Sequence, residues 1–173
     1  MDIDFLKKVR LFQKLSDRQL NLIRALIVEE EIPKDIIIIK EGEVGRYLYI
    51  VKAGKVKVVK QFDEDIFLLT ELSEGDFFGE LSLIDDYLTS ATVITEEDSE
   101  FIKIKADDFL ALTRIDSGLS SAIWEALARC LSDRIRKTSE IVRNYYGLSK
   151  ALCENEEFRM LFTSWNFGEK KSK

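Results

Sequence analysis

Gly75-Asp76-Phe77-Phe78-Gly79-Glu80-Leu81-Ser82-Leu83-Ile84, followed shortly by Ser90-Ala91-Thr92-Val93, is the stretch on which the reading of this chain turns. A glycine–acid turn leads into an aromatic pair, and a second glycine opens a very short helix. A polar loop follows, and a β-branched strand begins at Ala91. Gly79 lets the backbone approach a ligand closely and supplies a conformation that other residues resist. Amides at the start of the short helix direct their partial positive charge at whatever enters. The segment predicts a small anion pocket.

Around it, residues 36–105 carry short β-branched runs separated by glycine or acidic turns. Strands are predicted at Ile36–Lys40, Tyr47–Lys52, Lys55–Phe62, Phe67–Leu72, Thr92–Thr95 and Phe101–Lys105. In Lys55-Val56-Lys57-Val58-Val59-Lys60 lysine alternates with valine, as on a half-exposed strand. Phe62-Asp63-Glu64-Asp65-Ile66 reads as a hairpin tip. Many short strands at this spacing predict a β-sandwich or jelly roll. The fold class is mainly β with flanking helices.

Residues 2–30 read as helical, with Leu6, Val9 and Phe12 on one face and Ser16 as the N-cap of a second helix. Pro33 breaks that pattern. After the strands, Ala106–Thr113 predicts a short helix and residues 117–145 a long one. Ile123, Leu127, Leu131, Ile135, Thr138 and Val142 recur every three or four residues and form its apolar stripe. The expected organisation is residues 1–145 as one domain and 146–173 as a short helical extension. Phe158, Leu161, Phe162 and Trp165 give the extension an apolar face, which either folds back or docks a partner.

The opening stretch closely resembles the phosphate-binding cassette of cyclic-nucleotide-binding domains, which reads Phe-Gly-Glu-Leu-Ala-Leu, a variable loop, then Arg-Ala-Ala-Thr-Val. Glu41-Gly42-Glu43, Tyr49-Ile50-Val51 and Gly54-Lys55-Val56 resemble the family's early landmarks. The resemblance covers roughly residues 10–145 and implies that family's jelly roll. It implies a ligand site at Gly79, Glu80, Leu81, Ser82, Thr89 and Ser90. Glu80 matches the glutamate that accepts a hydrogen bond from the ribose 2′-hydroxyl, and the alternative is a structural carboxylate. Backbone amides around Gly79, Glu80 and Leu81 would hold phosphate oxygens, joined by Ser90.

One landmark differs. Thr89 stands where the family carries its phosphate-binding arginine. An arginine supplies two charge-assisted bonds, whereas threonine is uncharged with one hydroxyl donor. Each bond to a buried charge is worth about 1.5–3 kcal/mol. A combined loss of roughly 3–4 kcal/mol weakens binding by about 10²–10³-fold. Asp85 and Asp86 add negative charge to the same loop.

The long helix around Arg134-Ile135-Arg136-Lys137-Thr138-Ser139-Glu140 resembles that of bacterial catabolite-activator proteins around their Thr-Ser pair. Thr138 and Ser139 inherit candidate contacts to the ligand base, in their own subunit and across a dimer respectively. Ordinary helix-surface hydroxyls are the competing reading. The same resemblance implies a homodimer through this helix, against a purely intramolecular role.

Composition closes other classes. The sequence of 173 residues contains no histidine, which removes Ser-His-Asp and Cys-His catalysis, imidazole haem ligation and histidine zinc sites. No nucleophile–base pair or metal cluster is legible, so the chain is not expected to be an enzyme or to carry a cofactor. A net charge of −6 argues against general affinity for nucleic acid or anionic membrane. The tail is too short for a winged helix-turn-helix, so direct DNA binding is not expected. The N-terminus lacks the apolar run of a signal peptide, no stretch is apolar enough to span a bilayer, and Cys130 and Cys153 have no paired spacing. A cytoplasmic location with reduced thiols follows. The expected function is regulatory ligand sensing with cAMP or cGMP as the candidate ligand. The alternative is a divergent module that binds no cyclic nucleotide and serves protein interaction or dimerisation.

Overall fold

Ser16 starts its helix with a reciprocal cap: Gln19 N donates to Ser16 Oγ at 3.4 Å, and Ser16 N donates to Gln19 Oε1 at 3.0 Å. The structure is a computed structural model that describes residues 2–62, 65–85, 87–156 and 160. The chain divides into two units, residues 1–129 and 130–173. In the first unit, helices α1 (Ile3–Lys8) and α2 (Asp17–Arg24) precede the strands. Strands β1 (Val28–Ile32), β2 (Ile37–Ile39), β3 (Tyr47–Ala53) and β4 (Val56–Phe62) follow. Next come β5 (Asp65–Leu72), β6 (Phe77–Phe78), a 3₁₀ helix (Glu80–Leu83), β7 (Thr92–Thr95) and β8 (Ser99–Lys105). Helix α3 (Ala106–Ile115) closes the roll, and α4 runs Ser117–Glu154.

The strands form two four-stranded sheets, ordered β1-β8-β3-β6 and β2-β7-β4-β5, with antiparallel pairing throughout. Alternation along β7 sends Val93 and Thr95 inward; along β8 Ser99 and Phe101 share one face while Ile102 and Ile104 are buried on the opposite one. Tyr49 stacks on Phe78 at 5.1 Å between ring centroids, and Phe101 meets Phe78 edge-on at 6.0 Å. This trio anchors the strand that leads into the cassette. Burying an aromatic side chain of this size stabilises by about 1.5–3 kcal/mol.

The jelly roll agrees with the expectation, while two details differ. Residues 2–30 are not helical throughout: β1 begins at Val28. Its glutamates favour helix in isolation, but that preference is a weak prior. Pairing with β8 takes up one edge of the β1 backbone, and Lys52 bonds Glu29 at 2.7 Å while Lys103 bonds Glu30 at 2.8 Å. The second addition is β6, a two-residue strand defined by its pairing with Tyr49 and Ile50.

Asp116 caps α4, accepting from Leu119 N at 2.8 Å and from Gln19 Nε2 at 3.1 Å. Leu119, Ile123 and Leu127 are buried in the first unit, as the predicted stripe requires. In the second unit Ile135 and Val142, which extend the stripe, are 66% and 62% exposed. The helix passes residue 145 and continues to Glu154, because Leu148, Lys150, Ala151 and Leu152 are all good helix formers. The hairpin residues Asp63 and Glu64, and Phe158, Leu161, Phe162, Trp165 and the terminal lysines, lie outside the described residues.

Candidate ligand-binding site

The cassette is built from the pairing that ends in Phe78. Gly75 N donates to Val51 O at 2.9 Å, Val51 N donates to Asp76 O at 2.9 Å, and the Asp76 carboxylate accepts from Ser73 N at 3.0 Å. The turn thus delivers Phe77 and Phe78 to β3 in register. Gly79 then adopts φ +79°, the left-handed region. A Cβ at Gly79 would collide with the Tyr47 carbonyl oxygen and stand 3.4 Å from Ile39 Cδ1. Both the conformation and the space demand glycine.

Glu80 follows at the head of the 3₁₀ helix and is buried, with 3% of its surface exposed. Ser82 donates its hydroxyl proton to Gly79 O at 2.6 Å, which tightens the helix on the glycine. Leu81 and Ser90 are exposed, and Ser82 and Thr89 are half-buried. Beneath the cassette, burial pushes the Tyr49 phenol above its ordinary range. Gly79, Glu80, Leu81 and Ser82 thus share one short turn.

Thr89 is wired into the turn before β3. Its hydroxyl donates to Lys40 O and accepts from Glu43 N at 3.1 Å. Its backbone N–H donates to Glu43 O at 2.8 Å, and its carbonyl accepts from Gly42 N at 2.9 Å. Thr92 Oγ1 adds a further tie, accepting from Glu41 N at 3.0 Å. Gly45 seats its backbone against both ends of the cassette: a Cβ there would stand 2.9 Å from Ser82 Cβ and 3.4 Å from Thr89 Cγ2. Sequence reasoning singled out Glu41-Gly42-Glu43 but missed Gly45, Lys40 and Thr92 as parts of this wall.

Thr138 and Ser139 lie on α4 in the second unit. Each hydroxyl bonds back to the preceding turn, Thr138 Oγ1 to Arg134 O and Ser139 Oγ to Ile135 O, both at 2.9 Å. A cavity of about 440 Å³ opens between Ser82, Asp85, Arg114 on α3 and Trp124 on α4. Among the described residues no cluster of three or more acidic or cysteine side chains is placed to hold a metal ion. No helix among them is long and apolar enough to cross a membrane.

The sequence matches the cyclic nucleotide-binding domain over residues 29–116, just over half of the chain, and the chain belongs to that family. It is 36% identical to human cGMP-dependent protein kinase 2 over 152 residues, which cover 86% of this chain and 20% of the kinase. The crystal structure of Thermus thermophilus catabolite activator protein superposes with a TM-score of 0.68 at 28% identity, covering 79% of this chain and 63% of that one. A regulatory subunit of a cAMP-independent protein kinase A from Trypanosoma cruzi, bound to guanosine, shares the fold with a TM-score of 0.68 at 24% identity. That match covers 82% of this chain and 49% of the subunit. The chain spans between 9% and 49% of the length of such curated relatives as the Toxoplasma gondii cGMP-dependent kinase and the Thermus thermophilus cyclic AMP receptor protein.

Proposed function

We propose that this chain is a non-catalytic regulatory module that senses a ribose-bearing purine ligand in its cassette and takes cAMP or cGMP with low affinity. The observation that carries this reading is Glu80, buried directly after left-handed Gly79 at the head of the 3₁₀ helix. Glu80 occupies the cassette position whose glutamate, in the family the segment resembles, accepts a hydrogen bond from the ribose 2′-hydroxyl. The relatives' names, cGMP-dependent protein kinase and cyclic AMP receptor protein, support a cyclic-nucleotide class of ligand. The missing guanidinium at Thr89 sets the affinity about 10²–10³-fold below that of an arginine-bearing cassette.

Occupancy of the cassette would be felt across the cavity that separates it from Arg114 and Trp124, biasing a conformational population already present. The module works in the cytoplasm as a homodimer joined through the exposed stripe of α4. Ile135, Val142, Tyr145 and Leu152 supply its apolar surface at alternating helical spacing. The base-contact roles of Thr138 and Ser139 belong to this proposal and rest on resemblance.

Titration calorimetry with cAMP and cGMP tests the reading. Measurable binding that strengthens at least tenfold in Thr89→Arg supports it. One observation favours a second reading: the hydroxyl proton of Thr89 is already given to Lys40 O. Absence of binding by any purine ligand, in the native chain and in Thr89→Arg alike, selects a protein-interaction or dimerisation module instead.

A further inference from the structure

We infer that the cavity between the loop after the 3₁₀ helix and helices α3 and α4 binds a free α-amino acid with an apolar side chain. The inference does not depend on what the turn at Gly79 itself binds. The cavity measures about 440 Å³, and its described lining belongs wholly to the first unit. Small-ligand pockets span roughly 300–1,000 Å³, so the space suffices. Its charges decide the ligand. Among the described residues that line it, Asp85 is the acid and Arg114 the base, and no ion pair joins them. The Arg114 guanidinium makes no hydrogen bond or ion pair with any described residue. Asp85 Oδ1 accepts from Tyr87 N at 3.2 Å, which holds the carboxylate in the loop and leaves Oδ2 available. Opposite charges that line one cavity without meeting are matched by a molecule carrying both. Its ammonium goes to Asp85, and its carboxylate to Arg114, whose planar fork donates to both oxygens.

The rest of the wall supplies a place for the side chain. Ile84 and Trp124 line the cavity and are 44% and 38% exposed. Ser120 and Trp124 lie one turn apart on α4, as Leu110 and Arg114 do on α3. Each helix therefore presents a polar and an apolar group side by side. An aliphatic or aromatic side chain laid on Ile84, Leu110 and the Trp124 ring removes their apolar surface from water. Ligands with one charge fit less well: an anion meets Asp85 as a like charge, and an amine meets Arg114. Arg114 stands in the last turn of α3, where a cation complements the negative end of the helix. That role explains neither the unmatched carboxylate in the same cavity nor the exposed apolar wall.

The test is calorimetric titration of the full chain with L-phenylalanine and L-leucine. Three probes serve as comparisons: N-acetyl-L-phenylalanine lacks the ammonium, phenethylamine lacks the carboxylate, and glycine lacks the side chain. The expected result is saturable binding of L-phenylalanine or L-leucine, at least fivefold tighter than any of the three. Two variants, each with its fold verified by circular dichroism, assign the charges. Arg114→Gln should abolish the advantage of L-phenylalanine over phenethylamine. Asp85→Asn should abolish its advantage over N-acetyl-L-phenylalanine. A merely structural loss would weaken all ligands alike and leave those ratios unchanged. Absence of saturable heat from both amino acids overturns the site. So does binding of N-acetyl-L-phenylalanine or phenethylamine as tight as that of L-phenylalanine, or unchanged ratios in both folded variants.

Discussion

Thr89 and Glu43 exchange two hydrogen bonds, Thr89 N to Glu43 O at 2.8 Å and Glu43 N to Thr89 Oγ1 at 3.1 Å. The exchange fastens the variable loop of the cassette to the turn before β3. Thr89 therefore stabilises the wall of the site while withholding its protons from a ligand.

Replacing it separates those two effects. Thr89→Arg forfeits both hydroxyl bonds and should lower unfolding stability by about 1–3 kcal/mol in urea titration. The same variant should bind cAMP or cGMP at least tenfold more tightly by calorimetry. Thr89→Val should show a comparable loss of stability with no gain in affinity.

Gly79 tolerates no side chain. In Gly79→Ala the left-handed backbone costs about 1–3 kcal/mol and the collision with the Tyr47 carbonyl adds a similar amount. A fall of the urea midpoint is expected, larger than that of Gly75→Ala. Gly75 shares the positive φ but faces open space.

Glutamate in the exposed stripe should dissociate a dimer. Sedimentation of the native chain at high micromolar concentration should give a dimer, and the double variant Ile135→Glu, Val142→Glu a monomer. A native monomer at that concentration rules out the α4 interface.

Acid should loosen the first unit through two carboxylates. Hydrogen bonds from Leu119 N and Gln19 hold the Asp116 carboxyl below its usual range, and Lys52 does the same for Glu29. With folded pKa values below the unfolded ones, the unfolded chain binds more protons, so stability rises with pH. The contribution is complete above the unfolded carboxylate range near about 4 and is lost as pH falls through the lower folded values. Asp116→Asn should lower the melting temperature at neutral pH and flatten its decline in acid.

Much of the roll was legible because its strands advertise themselves. Thr92–Thr95 and Tyr47–Lys52 are β-branched or aromatic runs between turns, and they form strands where expected. β1 was hidden because three consecutive glutamates carry a helical preference that lysines far along the chain override. β6 is two residues long and exists only through its partner strand. The cassette turn could be read locally, since glycine, glutamate and serine lie within a few positions. The fate of the Thr89 hydroxyl could not, because its partners lie 46 and 49 residues away. No local pattern encodes such a bond.

The stitching of Thr89 and Thr92 to residues 40–43 has a consequence for the heat of binding. A loop already fastened before anything enters leaves little disorder for an incoming molecule to remove, so association should carry a small entropic penalty. The same fastening limits how far that molecule can reshape the loop, which makes this half of the module a fixed receptacle rather than a clasp.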